Sequence, residues 1–119
     1  MRGDLIERFA VLRELLTFSR PMRDVSIELS RFDWDFDGEG MKLEQKHVAN
    51  VLRGYIDHRL SDSDVETWAN LIESREDIYA DPLHEESLNE IIYDLANPIL
   101  TRPLDMKLAN LFIEQLECK

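Results

Sequence analysis

The most specific ligand-binding motif in this sequence is an acidic segment that begins at Asp33. Asp33, Asp35 and Asp37 precede Gly38, and Glu44 follows, which satisfies the D-x-D-x-D-G-x5-E spacing of a calcium-binding loop. Calcium binds hard oxygen ligands of this kind, and the glycine would allow the sharp turn. The eighth loop position is also glycine, however, and no second loop exists for pairing. Two interpretations therefore stand: a calcium-binding module spanning Asp33–Glu44, or an acidic loop whose aromatic residues pack against the core.

Other residue types offer no arrangement for catalysis or for a metal site. His47, His58 and His84 never pair four residues apart, and Cys118 is the only cysteine, so a zinc site is not expected. Serines such as Ser61 stand where a helix begins, and capping accounts for them. No glycine-rich phosphate loop is present. The sequence predicts that the protein is not an enzyme and that it has no cofactor.

Acidic residues dominate one stretch of the chain. Residues 61–94 contain eleven acids against the single base Arg75, a net charge of −10 where the whole chain carries −11. Like charges at this density repel one another and favour a partner of opposite sign. The acids are Asp62, Asp64, Glu66, Glu73, Glu76, Asp77, Asp81, Glu85, Glu86, Glu90 and Asp94.

Length, hydrophobic content and charge exclude several classes of protein. A chain of 119 residues is expected to form one domain, and a hydrophobic content of 44% is too high for a disordered acidic tail. The acidic balance argues against direct binding to nucleic acid or to anionic lipid. The sequence shows no apolar segment of a signal peptide or a membrane span, and the lone cysteine fits a reducing compartment. We therefore expect a cytoplasmic location.

Apolar spacing is helical almost throughout, which predicts a single all-α domain, residues 1–119, of about six short helices. Ser61 and Asp105 are expected to cap the fourth and sixth helices, and Asn97-Pro98 to end the fifth. The alternation within Val25–Leu29 also allows a strand there. Leu111 is expected on the inner face of the sixth helix. The six apolar faces run through Leu5–Leu16, Met22–Phe32, Val48–Tyr55, Val65–Ile72, Leu88–Leu95 and Leu108–Leu116.

Two aromatic residues in the acidic stretch have different expected roles. Trp68 shares an apolar face with Val65 and Ile72, which predicts a core residue. Tyr79 stands among acids in a predicted loop, a composition typical of an interface anchor. A tyrosine that covers the core with its hydroxyl in water would give the same pattern.

Three stretches together carry a family resemblance. They are Phe32-Asp-Trp-Asp35, then Leu60–Asn70 with Glu73–Ile78, and then Leu95-Ala-Asn-Pro98 followed by Leu104. Over roughly residues 29–116 the chain resembles small, acidic, helical bacterial proteins of the immunity type found in contact-dependent growth inhibition and polymorphic toxin systems. The resemblance implies an immunity protein that binds and neutralises a cognate toxin domain.

The acidic charge and the resemblance give the leading hypothesis: an immunity protein whose acidic helical face binds a basic toxin domain, a nuclease in the first instance. Reversing the charges of Glu73 and Asp77 is expected to weaken binding without unfolding. The alternatives are an acidic regulator or nucleic-acid mimic that binds a nucleic-acid-binding protein of the same cell, and the calcium module. The predicted contact residues are Asp62, Glu66, Glu73, Glu76, Asp77, Tyr79, Asp81, Glu85 and Glu86.

Overall fold

Six α-helices and one small sheet make up the part of the chain that the computed structural model describes, residues 2–32 and 40–117. This architecture confirms the predicted all-α class and the six short helices. In chain order the elements are α1 (Arg2–Thr17), α2 (Met22–Leu29), β1 (Met41–Leu43), α3 (Gln45–Ile56), α4 (Asp62–Glu73), β2 (Ile78–Ala80), a 3₁₀ turn (Pro82–His84), α5 (Glu85–Ala96) and α6 (Met106–Glu117).

The helices share one apolar core with Trp68 inside it. Trp68 is fully buried, and its indole Nε1 donates a hydrogen bond of 2.7 Å to the backbone oxygen of Leu15, which joins α4 to α1. This confirms the predicted core position. The strand considered for Val25–Leu29 is wrong, because these residues belong to α2 and bury Val25 and Leu29. Leu111 is also not an inner residue, since 41% of it is exposed.

A parallel pair of three-residue strands places the middle of the acidic stretch, β2, beside β1, the segment just before α3. Met41 pairs with Ile78, and the amide of Met41 donates to the carbonyl of Asp77 at 2.7 Å. A Cβ at Gly40 would lie 2.5 Å from that same carbonyl oxygen, so only glycine allows the approach. The prediction that Tyr79 lies in a loop is wrong, because Tyr79 is the middle residue of β2.

Side-chain caps fix the ends of the helices that frame the acidic stretch. The Oγ of Ser61 accepts from the amide of Asp64 at 3.0 Å, and a carboxylate oxygen of Asp64 accepts from the amide of Ser61 at 2.9 Å. Asp105 accepts from the amide of Leu108 at 2.8 Å. Helix α5 ends at Ala96, directly before Asn97. These contacts confirm the predicted caps and the predicted stop.

The side chain of His47 makes a hydrogen bond at the N-terminus of α3 whose formation depends on pH. Its Nδ1 accepts a hydrogen bond of 2.9 Å from the amide of Glu44, which requires an unprotonated Nδ1. Burial lowers the pKa of His47 and outweighs the opposite effect of the Glu44 carboxylate. Between that lowered pKa and the ordinary value near 6.5, the unfolded chain binds more protons, so stability falls as the pH drops through this range.

We expect the wild type to lose more unfolding free energy between pH 7 and pH 5 than a His47→Asn variant. Asparagine keeps a short side-chain acceptor at the position and removes the titrating group. Urea denaturation at both pH values measures the difference. If both proteins lost the same unfolding free energy between pH 7 and pH 5, His47 would not be the source of the pH dependence.

Candidate functional site

Four acids of the predicted contact surface have structural roles at the starts of helices. Asp62 lies in the first turn of α4, and Glu85 and Glu86 lie in the first turn of α5. Negative charge is favourable there because the positive end of the helix dipole points toward it. Asp81 accepts a hydrogen bond of 3.1 Å from the amide of Leu83 at the 3₁₀ turn. Helix formation alone accounts for these positions.

Asp77 does not belong to a partner-facing surface, so that prediction is wrong. Its side chain is fully buried and lies between two arginines. Arg8 Nε donates to it at 2.8 Å, and Arg75 donates through Nε at 2.8 Å and through Nη2 at 2.9 Å. Asp77 therefore ties α1 to the start of β2. Reversing its charge would break this buried cluster, so we now expect such a variant to lose stability.

Tyr79 and Glu73, both predicted contacts, lie in different surroundings. Side chains along a strand alternate between the two faces of its sheet. Ile78 and Ala80 of β2 line a cleft, whereas Tyr79, which is 38% exposed, does not. Glu73 is exposed at the end of α4 and lines that cleft. The structure therefore does not bring these two residues together on one surface.

The cleft, called the α4–α5 cleft below, has a volume of about 590 Å³ and opens between the end of α4, strand β2 and the second half of α5. A volume of this size lies in the usual range of ligand-binding recesses. Its apolar lining consists of Leu43, Ile72, Ile78, Ala80 and Ile92. Its polar and aromatic lining consists of Glu73, Arg75, Asn89, Glu90, Tyr93 and Asp94.

Three carboxylates on the cleft, those of Glu73, Glu90 and Asp94, do not lie at helix starts as the acids above do. The Glu73 carboxylate accepts long hydrogen bonds of 3.4 Å at both of its oxygens from the side-chain amide of Asn97. Among the described side chains, no basic nitrogen lies within 4.0 Å of any of these three carboxylates. Glu73 is the last residue of α4, Asp94 stands in the last turn of α5, and neither helix has a basic residue in its last turn. A carboxylate at that end opposes the helix dipole, at a cost of about 0.3–1 kcal/mol. The cleft thus concentrates negative potential.

The spacing of acids along α5 adds to this cost. Glu86, Glu90 and Asp94 follow one another at intervals of four residues, which places them in a row on one side of the helix. Each like-charge pair at this spacing destabilises a helix by roughly 0.2–0.5 kcal/mol. The stability of the helix therefore does not account for the row.

We expect Glu90→Gln to raise the free energy of unfolding by about 0.4–1 kcal/mol, because it removes two like-charge pairs. Glu85→Gln in the first turn of the same helix is the matched control, and it should lower stability slightly through the lost dipole interaction. Chemical denaturation of both variants measures whether each substitution raises or lowers the free energy of unfolding. A loss of stability in Glu90→Gln would show that Glu90 supports the fold.

The two remaining predicted contacts, Glu66 and Glu76, are exposed but lie off the cleft. Glu66 lines a smaller recess together with Asp62 and Arg102. The residues of the cleft that the sequence analysis missed are Glu90, Tyr93 and Asp94. Two signals could have found the acids: the four-residue spacing of Glu86, Glu90 and Asp94, and the position of Asp94 in the last turn before the predicted stop of α5. Neither signal points to Tyr93.

The described residues contain no group of three or more histidine, cysteine, aspartate or glutamate side chains arranged to hold a metal ion. Most of the calcium-type loop, residues 33–39, lies outside the described residues, so the calcium hypothesis stays a prediction. Glu44, its last position, is the N-cap residue of α3.

Within the described part of the chain, no helix has both the length and the apolar character needed to cross a membrane. Comparison of the chain with family models, curated proteins and solved structures gives no match.

Proposed function

We propose that this protein binds a basic protein partner through the face that carries the α4–α5 cleft. The observation that carries the proposal is a cleft with an apolar floor and three bordering carboxylates that have no ion-pair partner among the described side chains. Two of these carboxylates, those of Glu73 and Asp94, lie at the negative ends of helices. Apolar surface supplies affinity when it is covered, and the charges select a partner of opposite sign. We propose a binding role and not a catalytic one, in keeping with the expectation from the sequence.

Within this class, the function proposed is that of an immunity protein that neutralises a cognate toxin domain, a basic nuclease in the first instance. Support for this finer assignment comes from the resemblance to small acidic immunity proteins. A nuclease holds phosphates in an electropositive site, so an acidic protein can block that site directly or cover the surface beside it. Long-range attraction would speed association, and a buried apolar contact would slow release.

The proposed location follows from the proposed role. An immunity protein must meet its toxin before the toxin reaches its substrate, and the substrate of a nuclease toxin is in the cytoplasm. The single cysteine of the chain fits a reducing compartment of that kind.

A second candidate function is an acidic mimic that occupies a nucleic-acid-binding protein of the same cell. The row of Glu86, Glu90 and Asp94 along α5 favours it, because a regular line of negative charge resembles a phosphate backbone to a basic groove. The two candidates differ in their partners. The mimic predicts a housekeeping protein and competition with DNA or RNA, whereas the immunity role predicts a protein that is toxic when expressed alone.

Affinity capture tests the proposal and separates the candidates. Tagged protein is incubated with a lysate of the cells that encode it, washed at low and at high salt, and the eluate is identified by mass spectrometry. A basic domain that survives high salt, is toxic alone and is neutralised by co-expression supports the immunity role. A partner that DNA or RNA displaces supports the mimic. Recovery of only salt-labile basic proteins would contradict both.

A further inference from the structure

The α4–α5 cleft has an apolar floor and an acidic border, a combination that suits a long cationic side chain. Its floor is apolar and comes from residues of four elements, among them the buried Ile72, Ile78 and Ile92. Carboxylates border it from two helices, with Glu73 on α4 and Glu90 on α5. An occupant must therefore combine an apolar stem with a cationic end, which lysine and arginine both do.

Tyr93 favours arginine over lysine. Tyr93 lines the cleft and is 46% exposed, and it stands between Glu90 and Asp94 in the sequence of α5. A planar guanidinium can stack on an aromatic face and donate to carboxylates in its own plane at the same time. An ammonium group is a compact, strongly hydrated charge and gains less from such surroundings.

The cleft keeps its negative character although one of its lining residues is basic. Among the described residues that line the cleft, Arg75 is the only basic one, and it donates two hydrogen bonds to the buried Asp77. Three lining carboxylates against this one guanidinium leave a net charge of −2 on the lining. Charge complementarity therefore still selects a cation.

We propose that the α4–α5 cleft is a socket for a single arginine side chain of the basic partner. The methylene stem lies on the apolar floor, the guanidinium stacks against Tyr93, and its N–H groups donate to Glu90 and to Glu73 or Asp94. The inference rests on the proposed function, because it assigns to one cleft the central contact of that protein–protein interface. Buried arginines are among the residues that most often dominate binding energy.

The test uses a small probe and needs no partner. Acetyl-arginine-amide is titrated into isotope-labelled protein, and backbone NMR signals are followed. The expected result is saturable shifts confined to residues 72–80 and 89–94 at millimolar probe. Acetyl-citrulline-amide, which has a similar shape but no charge, should bind at least about fivefold more weakly. Acetyl-leucine-amide serves as the purely apolar probe and should cause no saturable shifts.

A blocking variant and its control make the test specific to the cleft. Asn89→Trp places a large uncharged ring on the lining and leaves every carboxylate in place, and it should abolish the shifts. Asn70→Trp makes the same change at an exposed site of α4 outside the cleft and should retain them. Each variant's spectrum first shows that the variant is folded. A blocking variant that does not fold is replaced by the Glu73→Gln, Glu90→Gln and Asp94→Gln triple variant, which should also abolish the shifts.

Several outcomes would overturn the socket. Shifts that extend equally over residues 62–66 and 85–86 would show general attraction to the acidic surface. Equal binding of the citrulline or leucine probe would show that charge is not recognised, and concentration-dependent shifts in the same residues without a probe would show that a second copy covers the cleft. None of these results would disprove partner binding, since capture of the partner tests that separately.

Discussion

Replacing Asp77 with asparagine is expected to lower the free energy of unfolding by roughly 3–5 kcal/mol. Asp77 is fully buried and accepts hydrogen bonds from Arg8 and Arg75, whose side chains are only 13% and 7% exposed. Asparagine has nearly the same shape but no charge, so two largely buried guanidinium groups would lose their shared counter-charge. Removing one member of such a cluster costs far more than breaking an exposed ion pair.

Glu76→Gln is the matched control for this variant, because it removes the same charge one residue earlier at an exposed position. Its effect should stay within about 0.5 kcal/mol. Urea denaturation followed by the fluorescence of the tryptophans compares the two proteins. If Asp77→Asn were as stable as Glu76→Gln, the buried cluster would not hold α1 against the start of β2.

The second large effect is expected in binding. Glu90→Lys should weaken association with the captured basic partner by about 2–5 kcal/mol, which is at least roughly 30-fold in Kd. The new ammonium group repels the partner's cation and places an unpaired charge at the cleft. The fold should persist, because Glu90 is exposed and its removal relieves the like-charge row on α5.

Glu114→Lys on α6 makes the same charge change at an exposed residue that does not line the cleft. It should change Kd by less than about threefold at physiological salt, since a distant exposed charge is largely screened. Isothermal titration calorimetry at two salt concentrations measures both variants. Equal weakening by the two substitutions would mean that net charge, and not the cleft, determines affinity.

The helices could be predicted because their signals are local. Apolar residues recur at helical spacing, Ser61 and Asp105 cap helices in the structure as their sequence context indicates, and Asn97 follows the end of α5. Trp68 was predictable for the same reason, since it shares a helical face with other apolar residues.

Three features could not be predicted because they depend on contacts between distant residues. Strands of three residues, as in β1 and β2, have too few positions to show a two-residue period. The burial of Asp77 depends on Arg8, which is 69 residues away in the chain. The cleft depends on how α5 packs against α4 and β2, which the sequence pattern does not determine.

The structure also separates the acidic residues by role, which composition cannot do. Acids at helix starts, such as Asp62 and Glu85, stabilise the fold through the helix dipole. Acids at helix ends, such as Glu73 and Asp94, interact unfavourably with the helix dipole and reduce stability. Functional sites commonly retain residues that reduce stability. The second group is therefore the better guide to the binding surface.

Two matched triple variants test the central claim most directly. One neutralises the cleft acids Glu73, Glu90 and Asp94, and the other neutralises three helix-start acids, Asp62, Glu85 and Glu86. Both variants remove three negative charges, so any difference in binding between them must come from where the charges lie. The measurement is the amount of basic partner that each immobilised protein, and the wild type, retains at high salt.

We expect the wild type and the helix-start variant to retain the same basic protein, and the cleft variant to retain at least about tenfold less of it. Equal retention by all three proteins, or equal loss from both triple variants, would contradict the claim that the α4–α5 cleft is where this protein binds its partner.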